Sequence, residues 1–157
     1  MGGGVILDLG CYPVSFSTKI AALKSSLNIE EVNFSNKENI FGSTGVEIDS
    51  NLTIIFKNGF YSEICASFCK DLGQKTEITG SSGSIIIQDT WTANEAKIIL
   101  NKRGKEFVFD FKSNKNIYSY QIDTLSELIL SKKSVNNKIL DIDRSILNMR
   151  ILDYWQG

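Results

Sequence analysis

The chain has 157 residues, of which 42% are hydrophobic, and this length and composition are typical of one domain with one core. Its 17 Lys and Arg residues nearly balance 18 Asp and Glu residues, which argues against a polyanion such as nucleic acid as a partner. No apolar stretch approaches the roughly 18 residues of a membrane span, and the first residues lack the pattern of a signal peptide. We therefore expect one cytoplasmic domain, residues 1–157, with no membrane partner.

Histidine and cysteine usage limits the chemistry that the chain can perform. The sequence has no histidine, which removes the commonest general base and metal ligand. Cys11, Cys65 and Cys69 form neither an even set nor a CxxC pair, which argues against a disulfide framework and a structural zinc site. We expect reduced, partly buried thiols and no metal, with Cys11 unactivated because no cation is evident nearby. Any proton chemistry must use Tyr, Lys, Cys, Asp or Glu.

Three glycines at positions 2–4 precede an apolar stretch that continues to about Leu23 with the spacing of a helix. Pro13 has no backbone N–H, so it either kinks this helix or lies in the first turn of a second one. Three consecutive glycines are an unusual native N-terminus. We expect that they form an internal loop of a longer protein.

From about Glu31 to Lys112, short apolar runs alternate with turn residues, a pattern typical of an antiparallel sheet. In one predicted hairpin, Asn58-Gly59 supplies the positive φ angles of a tight turn. In the last strand, Phe107, Phe109 and Phe111 share one face, which we predict to be buried. The predicted strand pairs are residues 52–56 with 60–64, residues 75–79 with 84–87, and residues 96–100 with 106–111.

Two helices follow the strands. The second runs from about Asp141, its expected N-cap, to Trp155, which we expect in the core or an interface together with Trp91. This order predicts an α+β fold with an open, mostly antiparallel sheet and helices on one face. The other face either packs against another subunit or domain or is an ordinary solvated face. The apolar positions of the first helix are Ile122, Leu125, Leu128 and Ile129.

Four side chains are candidates for a functional site. Asp8 and Tyr12 are four residues apart, on one face of a helix, and Gly10 between them lets a ligand or another element approach. A tyrosine beside a carboxylate can exchange a proton with a substrate hydroxyl if a cation lowers its pKa. Taken alone, the spacing favours a turn-forming or capping aspartate and a half-buried tyrosine. Tyr118 and Tyr120, before the first of the two last helices, line a polar substrate pocket or simply pack.

Residues 2–13, GGGVILDLGCYP, resemble the GGGxLxDxGxYP motif that opens the C-terminal domain of the Gfo/Idh/MocA family of oxidoreductases. The resemblance continues through residues 45–47, 56–59, 77–84 and 145–153, so it covers essentially the whole chain. It implies a full-length enzyme in which an N-terminal Rossmann domain binds NAD or NADP. That domain is joined to this α+β domain, whose sheet usually builds the oligomer interface.

The resemblance also implies roles for two residues. Tyr12 matches the tyrosine of the Tyr-type subgroup, which includes dihydrodiol dehydrogenase-like members and pairs it with the lysine of a Glu-Lys-Pro motif. Asp8 matches the motif aspartate, which is expected to orient or polarise the site. The sequence has no GxGxxG after a strand, no ribose-binding acid and no Glu-Lys-Pro. We therefore expect this chain to bind no dinucleotide and to be inactive without the Rossmann domain.

The leading functional hypothesis is substrate binding and oligomerisation in an NAD(P)-dependent dehydrogenase that acts on a hydroxyl of a sugar, cyclitol or diol. A non-catalytic carbohydrate-binding or assembly module is the alternative from another class. An NAD-assisted glycoside hydrolase is the alternative within the same family.

Overall fold

The computed structural model describes residues 3–92, 95–131 and 142–157. Their strands are all antiparallel, and the α+β class with open antiparallel sheets is confirmed. The strands form two sheets, with orders β1-β2-β3 and β4-β5-β6-β7, rather than one continuous sheet. None of the described helices is both long and apolar enough to span a membrane. The elements are a π-turn (Ile6–Gly10), α1 (Cys11–Ala22), a 3-10 turn (Ile29–Glu31), β1 (Val32–Phe41), β2 (Glu47–Phe56), β3 (Tyr61–Ser67), β4 (Thr76–Gly80), β5 (Gly83–Gln88), β6 (Glu95–Lys102), β7 (Lys105–Lys112), α2 (Ile117–Ser131) and α3 (Ile142–Gln156).

The chain divides into two compact units. The first consists of Met1–Leu72 together with Asn137–Gly157, and the second is Gly73–Asn136. The first unit therefore contains the π-turn, α1, β1–β3 and α3, and the second contains β4–β7 and α2. The expectation that residues 1–157 form a single domain stays a prediction.

The first unit contains all the buried hydrophobic side chains of the described residues. Leu52, Ile54 and Phe56 alternate along β2, which places them on one face of the three-stranded sheet. The π-turn and α1 pack against β3, and α3 packs against the π-turn and α1. The helical elements of this unit therefore close one core over one sheet face. The core residues are Val5, Ile6, Val14, Ala21, Val32, Leu52, Ile54, Phe56, Ile64, Ala66, Leu147, Ile151, Leu152 and Trp155.

The turn between β2 and β3 is attached to the end of α1. Gly59 has a φ of 82°, but Asn58 has no positive φ, so the prediction for Asn58 is wrong. Asn58 stabilises the turn with its side chain instead: Oδ1 accepts the N–H of Phe60 at 3.1 Å, and Nδ2 donates to the carbonyl of Ala21 at 3.0 Å. Pro13 is the third residue of α1, so it lies in the first turn after the π-turn, as one of the two predicted arrangements places it.

The last turn of α3 is attached to β1 and β2. Asn39 Nδ2 donates to the carbonyl of Trp155 at 2.9 Å, and Lys37 Nζ donates to that of Tyr154 at 2.6 Å. These bonds satisfy carbonyls that a helix end leaves without a partner. Trp155 is fully buried, as expected, and its indole N–H donates to the carbonyl of Asn51 at 3.0 Å. The predicted N-cap Asp141 lies outside the described residues.

The second unit has an apolar sheet face that the described residues leave uncovered. The β6–β7 hairpin closes through Arg103-Gly104, whose φ angles of 51° and 72° suit a two-residue turn. Phe107, Phe109 and Phe111 are about half exposed, so the prediction that their face is buried is wrong for this part of the chain. The registers place the apolar partners of these rings on the same face. This apolar sheet face consists of Ile78, Ile85, Ile87, Ala96, Ile98, Leu100, Phe107, Phe109 and Phe111.

Helix α2 confirms the predicted helical spacing, although it buries none of its side chains. Asn116 caps it, since Oδ1 accepts the N–H of Tyr118 at 3.0 Å. Ile122 and Leu125 remain half exposed or more. Leu128 is half-buried, so the apolar stripe of α2 is mostly, though not wholly, exposed in the part of the chain that the structure describes.

Candidate functional site

Asp8 and Tyr12 lie on one continuous helical segment, but its first part is a π-turn rather than an α-helix. Asp8 is exposed on the π-turn, and Tyr12, the second residue of α1, is 51% exposed. Within the described residues no hydrogen bond joins their side chains, so Asp8 does not hold the Tyr12 hydroxyl in this structure. The two groups are open to solvent and four residues apart. Single π-turns inside helices occur frequently at functional sites.

The glycines around Asp8 are required by close packing inside the first unit. A Cβ added at Gly10 would lie 2.7 Å from Cζ3 of Trp155, which is closer than real Cβ atoms approach. The close approach that Gly10 was predicted to allow is therefore that of α3, and not that of a ligand. Gly4, just before the π-turn, has a φ of 107°, and the carboxylate of Glu47 lies against it.

Cys11 lies between the two candidate residues and is not activated. Its thiol donates to the carbonyl of Asp8 at 3.6 Å. Burial, with a smaller contribution from the Asp8 carboxylate, raises the pKa of the thiol. A raised pKa disfavours the reactive thiolate, so Cys11 fits a small packed side chain. Cys65 and Cys69 are exposed, so the expectation that all three thiols are partly buried is wrong for these two.

Tyr118 and Tyr120 lie within the first turn of α2, not before it. They are two residues apart, so they point to different sides of the helix. The Tyr120 hydroxyl lies 3.0 Å from Oγ of Ser113, in the loop before the helix, and the Tyr118 ring is 59% exposed. Both belong to the second unit, whereas Asp8 and Tyr12 belong to the first. Asp8 and Tyr12 are thus candidates within the first unit, and Tyr118 and Tyr120 are candidates within the second.

The described residues do not fit a Rossmann-type dinucleotide cradle. Such a cradle is a glycine-rich turn that follows a strand and opens a helix in a parallel βαβ unit. All the strand pairs among the described residues are antiparallel, and the Glu47 carboxylate against Gly4 would repel a phosphate. In the same ranges, no group of three or more Cys, Asp and Glu side chains could hold a metal ion.

Comparison with known proteins identifies oxidoreductases. The chain is 26% identical over 162 residues to trans-1,2-dihydrobenzene-1,2-diol dehydrogenase of Xenopus tropicalis, a match that covers 98% of this chain and 46% of that protein. No protein-family model matches the chain. This relative is an oxidoreductase of the type that the sequence resembles.

Two solved oxidoreductases have a similar structure. The 3-ketoreductase KijD10 of Actinomadura kijaniata, solved with TDP-benzene and NADP, has a TM-score of 0.78 at 15% identity, over 98% of this chain and 46% of its own. The aldose-aldose oxidoreductase of Caulobacter crescentus, solved with glycerol, has a TM-score of 0.72 at 18% identity, over 98% of this chain and 44% of its own. The chain shares the fold of part of these enzymes. It spans about half the length of the relatives that it matches.

Two features of this site were not predicted from the sequence. A π-turn has no characteristic residue pattern, and only the structure reveals it between Ile6 and Gly10. Glu47 is 2% exposed, although a glutamate at the start of a strand is usually solvated. The two features are in contact, since Glu47 lies against Gly4 directly before the π-turn.

Proposed function

We propose that this chain is the substrate-binding part of an NAD(P)-dependent oxidoreductase that acts on a hydroxyl of a sugar, cyclitol or diol. The observation that carries the proposal is the exposed pair of Asp8, on the π-turn, and Tyr12, at the start of α1, in a chain whose dehydrogenase relative matches 98% of its length. The dinucleotide would be bound by a Rossmann domain, of the same polypeptide or of a partner. Hydride chemistry belongs to that domain, and this chain contributes the groups that act on the hydroxyl.

In this proposal Tyr12 exchanges the proton of the substrate hydroxyl. Its exposure gives a substrate direct access to the phenol oxygen, and no hydrogen bond to a described residue occupies that oxygen. Asp8, one turn earlier and also exposed, orients the substrate through a second hydroxyl or through water. A cation beside the phenol oxygen would stabilise the negative charge that develops there during proton exchange, and the Rossmann domain would supply that cation. Tyr118 and Tyr120 remain candidates for substrate contacts.

Replacement of Tyr12 by Phe in the intact enzyme tests this role. Loss of a positioned proton donor typically lowers kcat by about 10²- to 10⁴-fold. We expect a loss of this size with dinucleotide affinity and thermal stability unchanged, because the Tyr12 ring is half exposed and Phe preserves its packing. Oxidation of a diol and sugar panel, followed by NADH or NADPH absorbance, is the measurement. Tyr61→Phe, at an exposed tyrosine on β3, is the matched control.

The outcomes separate the candidate functions. Near-normal turnover in Tyr12→Phe would contradict the proton-transfer role. Net sugar hydrolysis with no reduced dinucleotide accumulated would favour the NAD-assisted glycoside hydrolase. Binding of a sugar without either reaction would favour a carbohydrate-binding module. The 157-residue chain alone is expected to bind no dinucleotide, and a calorimetric titration with NADP⁺ tests that expectation.

We also propose that the apolar sheet face of the second unit forms an interface with a second copy of this chain. In a two-fold symmetric dimer the same patch lies on both sides, so the patch must be self-complementary. The middle of this face carries no charged side chain, and two copies therefore meet without like-charge repulsion. The opposite face of the same strands carries the exposed ion pairs Lys97–Asp110 and Lys112–Glu95, which suit solvent.

Substitutions on the two faces of β7 test this interface. Phe109→Asp introduces a charge into the centre of the apolar face and should convert a dimer into a monomer in light scattering coupled to size exclusion. Val108→Asp makes a similar change at the neighbouring position on the opposite face and should leave the dimer intact. A monomeric wild-type chain at high micromolar concentration, or dissociation by both variants, would contradict this proposal.

A further inference from the structure

The π-turn is held at both ends by a side chain that fits only against glycine. Before it, a Cβ on Gly4 would lie 2.6 Å from Cδ and 2.7 Å from Oε1 of Glu47. At its end, a Cβ on Gly10 would lie 2.7 Å from Cζ3 of Trp155. Glu47 comes from β2 and Trp155 from α3, so two separate elements grip the turn. We call these two contacts the glycine clamp.

Packing alone does not account for a carboxylate at position 47. Glu47 is 2% exposed, and a buried charge is costly unless hydrogen bonds compensate it. Among the described residues, the donor that reaches Oε1 is Nε2 of Gln156, at 3.5 Å. An apolar side chain of similar size would fill the same space without that cost. Gln156 directly follows Trp155, so this hydrogen bond also connects the two halves of the glycine clamp.

We propose that Glu47 is a positioning residue, which fixes the π-turn and thereby the orientation of Tyr12 relative to Asp8. Glu47 lies against the Cα side of Gly4, where a Cβ would be, and the carbonyl of Gly4 accepts the N–H of Asp8 at 3.2 Å, so a shift at Gly4 is transmitted to Asp8. That bond already has the four-residue spacing of an α-helix, and without the clamp we expect the following residues, Ile6–Gly10, to relax to the same α-helical spacing. That pattern has a different number of residues per turn, so Asp8 would rotate relative to Tyr12.

The orientation of Tyr12 is measurable in this chain without any assay of activity. The chain has five tyrosines, so incorporation of 3-fluorotyrosine gives five ¹⁹F NMR signals, and Tyr12→Phe identifies the one from Tyr12. Glu47→Leu keeps the volume but removes the acceptor, whereas Glu47→Gln keeps an acceptor oxygen. Glu63→Leu, at an exposed position on β3, is the matched control.

We expect Glu47→Leu to shift or broaden the Tyr12 signal, and Glu47→Gln to retain the wild-type signal. Loss of one buried hydrogen-bond partner should accelerate exchange of the Asp8 amide about tenfold relative to the amide of Ile54, a core position on β2. Glu63→Leu should change neither quantity. An unmoved Tyr12 signal, or equal acceleration at Asp8 and Ile54, would overturn the proposal, because Glu47 would then contribute only to overall stability.

A second variant keeps the test decisive if Glu47→Leu does not fold. Gln156→Leu removes the donor at an exposed position, so it should preserve the core and shift the Tyr12 signal in the same direction by a smaller amount. An unchanged signal in this variant would overturn the proposal.

The inference rests on the proposed function only for the importance of Tyr12, and the two fail separately. If Glu47→Leu moves the Tyr12 signal while Tyr12→Phe retains turnover in the intact enzyme, the positioning role stands and the catalytic role falls. If Tyr12→Phe abolishes turnover while the Glu47 variants leave the signal unmoved, the catalytic role stands and the positioning role falls.

Discussion

The two units of this chain have similar sequence patterns and different degrees of burial. In the first unit, β2 alternates apolar residues, and Leu52, Ile54 and Phe56 are buried beneath helical elements. In the second unit, β7 alternates its phenylalanines as regularly, yet every residue of that strand is exposed. The alternation of apolar and polar residues indicates which face of a strand is apolar, but it does not indicate what covers that face. The uncovered face is therefore where a partner is to be sought.

Matched isoleucine truncations should give the largest difference between the units. Ile54→Ala removes a fully buried side chain and should lower the free energy of unfolding by about 2–5 kcal/mol, since such changes leave a cavity. Ile86→Ala, at a half-buried position on β5 and on the sheet face opposite the apolar sheet face, should cost about 1 kcal/mol or less. Urea unfolding followed by circular dichroism measures both. Equal losses would mean that the second unit is buried as thoroughly as the first.

Replacing a glycine by alanine should lower the free energy of unfolding more in the first unit than in the second, but by less than the isoleucine truncations do. Gly10→Ala forces a Cβ against the Trp155 ring, and overpacking of this kind costs about 1–3 kcal/mol. The higher helix propensity of alanine offsets up to about 1 kcal/mol of that cost. Gly80→Ala on β4 meets nothing closer than 3.9 Å and should be nearly neutral. Thermal melts compare the two variants, and a neutral Gly10→Ala would show that Trp155 can move aside.

Removal of one ion pair from each unit should give the smallest difference in stability between the units, and this difference should depend on pH. Lys70, with help from Ser67, lowers the pKa of Asp49, whose side chain is 13% exposed; Lys112 lowers the pKa of Glu95, whose side chain is 70% exposed. Because the pKa of each carboxyl group is lower in the folded than in the unfolded chain, each pair stabilises the fold fully above the pKa that the group has when unfolded, about 4. This stabilisation is lost as the pH falls through the pKa that the group has in the folded chain.

Asp49→Asn should therefore be less stable than the wild type at pH 7, and the difference should shrink below about pH 4. Glu95→Gln should show a weaker form of the same profile, because its pair is more exposed to solvent and salt. Urea midpoints measured from pH 7 to pH 2.5 follow both differences. If the stability difference between wild type and variant grew as the pH fell, the pKa of the carboxyl group would not be lowered by folding.

Most of the elements could be predicted from the sequence because local chemistry determines them. The glycine at 59 and the Arg103-Gly104 pair locate two hairpin turns, and helical spacing locates α2 and α3. Division of the strands into two sheets could not be predicted, since alternation does not specify partners for β3 and β4.

The site itself was predictable only in part. Helical spacing brings Asp8 near Tyr12, but the π-turn depends on contacts with Glu47 and Trp155, which are distant in sequence. Glu47 was missed because alternation along β2 places it with Asp49 and Asn51, away from the core. The register shift between Ile40 and Phe41, opposite the start of β2, breaks that alternation, and Glu47 is buried.

The attachment of α3 to β1 has a consequence for biosynthesis. The core of the first unit needs Leu147, Ile151 and Trp155, which are translated only after the whole second unit. At ordinary elongation rates of about 5–20 residues per second, β1–β3 must wait several seconds for α3, with only the π-turn and α1 available to cover part of their apolar face. The hairpins of the second unit are contiguous in sequence and can pair during this interval. The nascent chain is thus most vulnerable to aggregation, and most in need of a chaperone, in the region that is best protected once folding is complete.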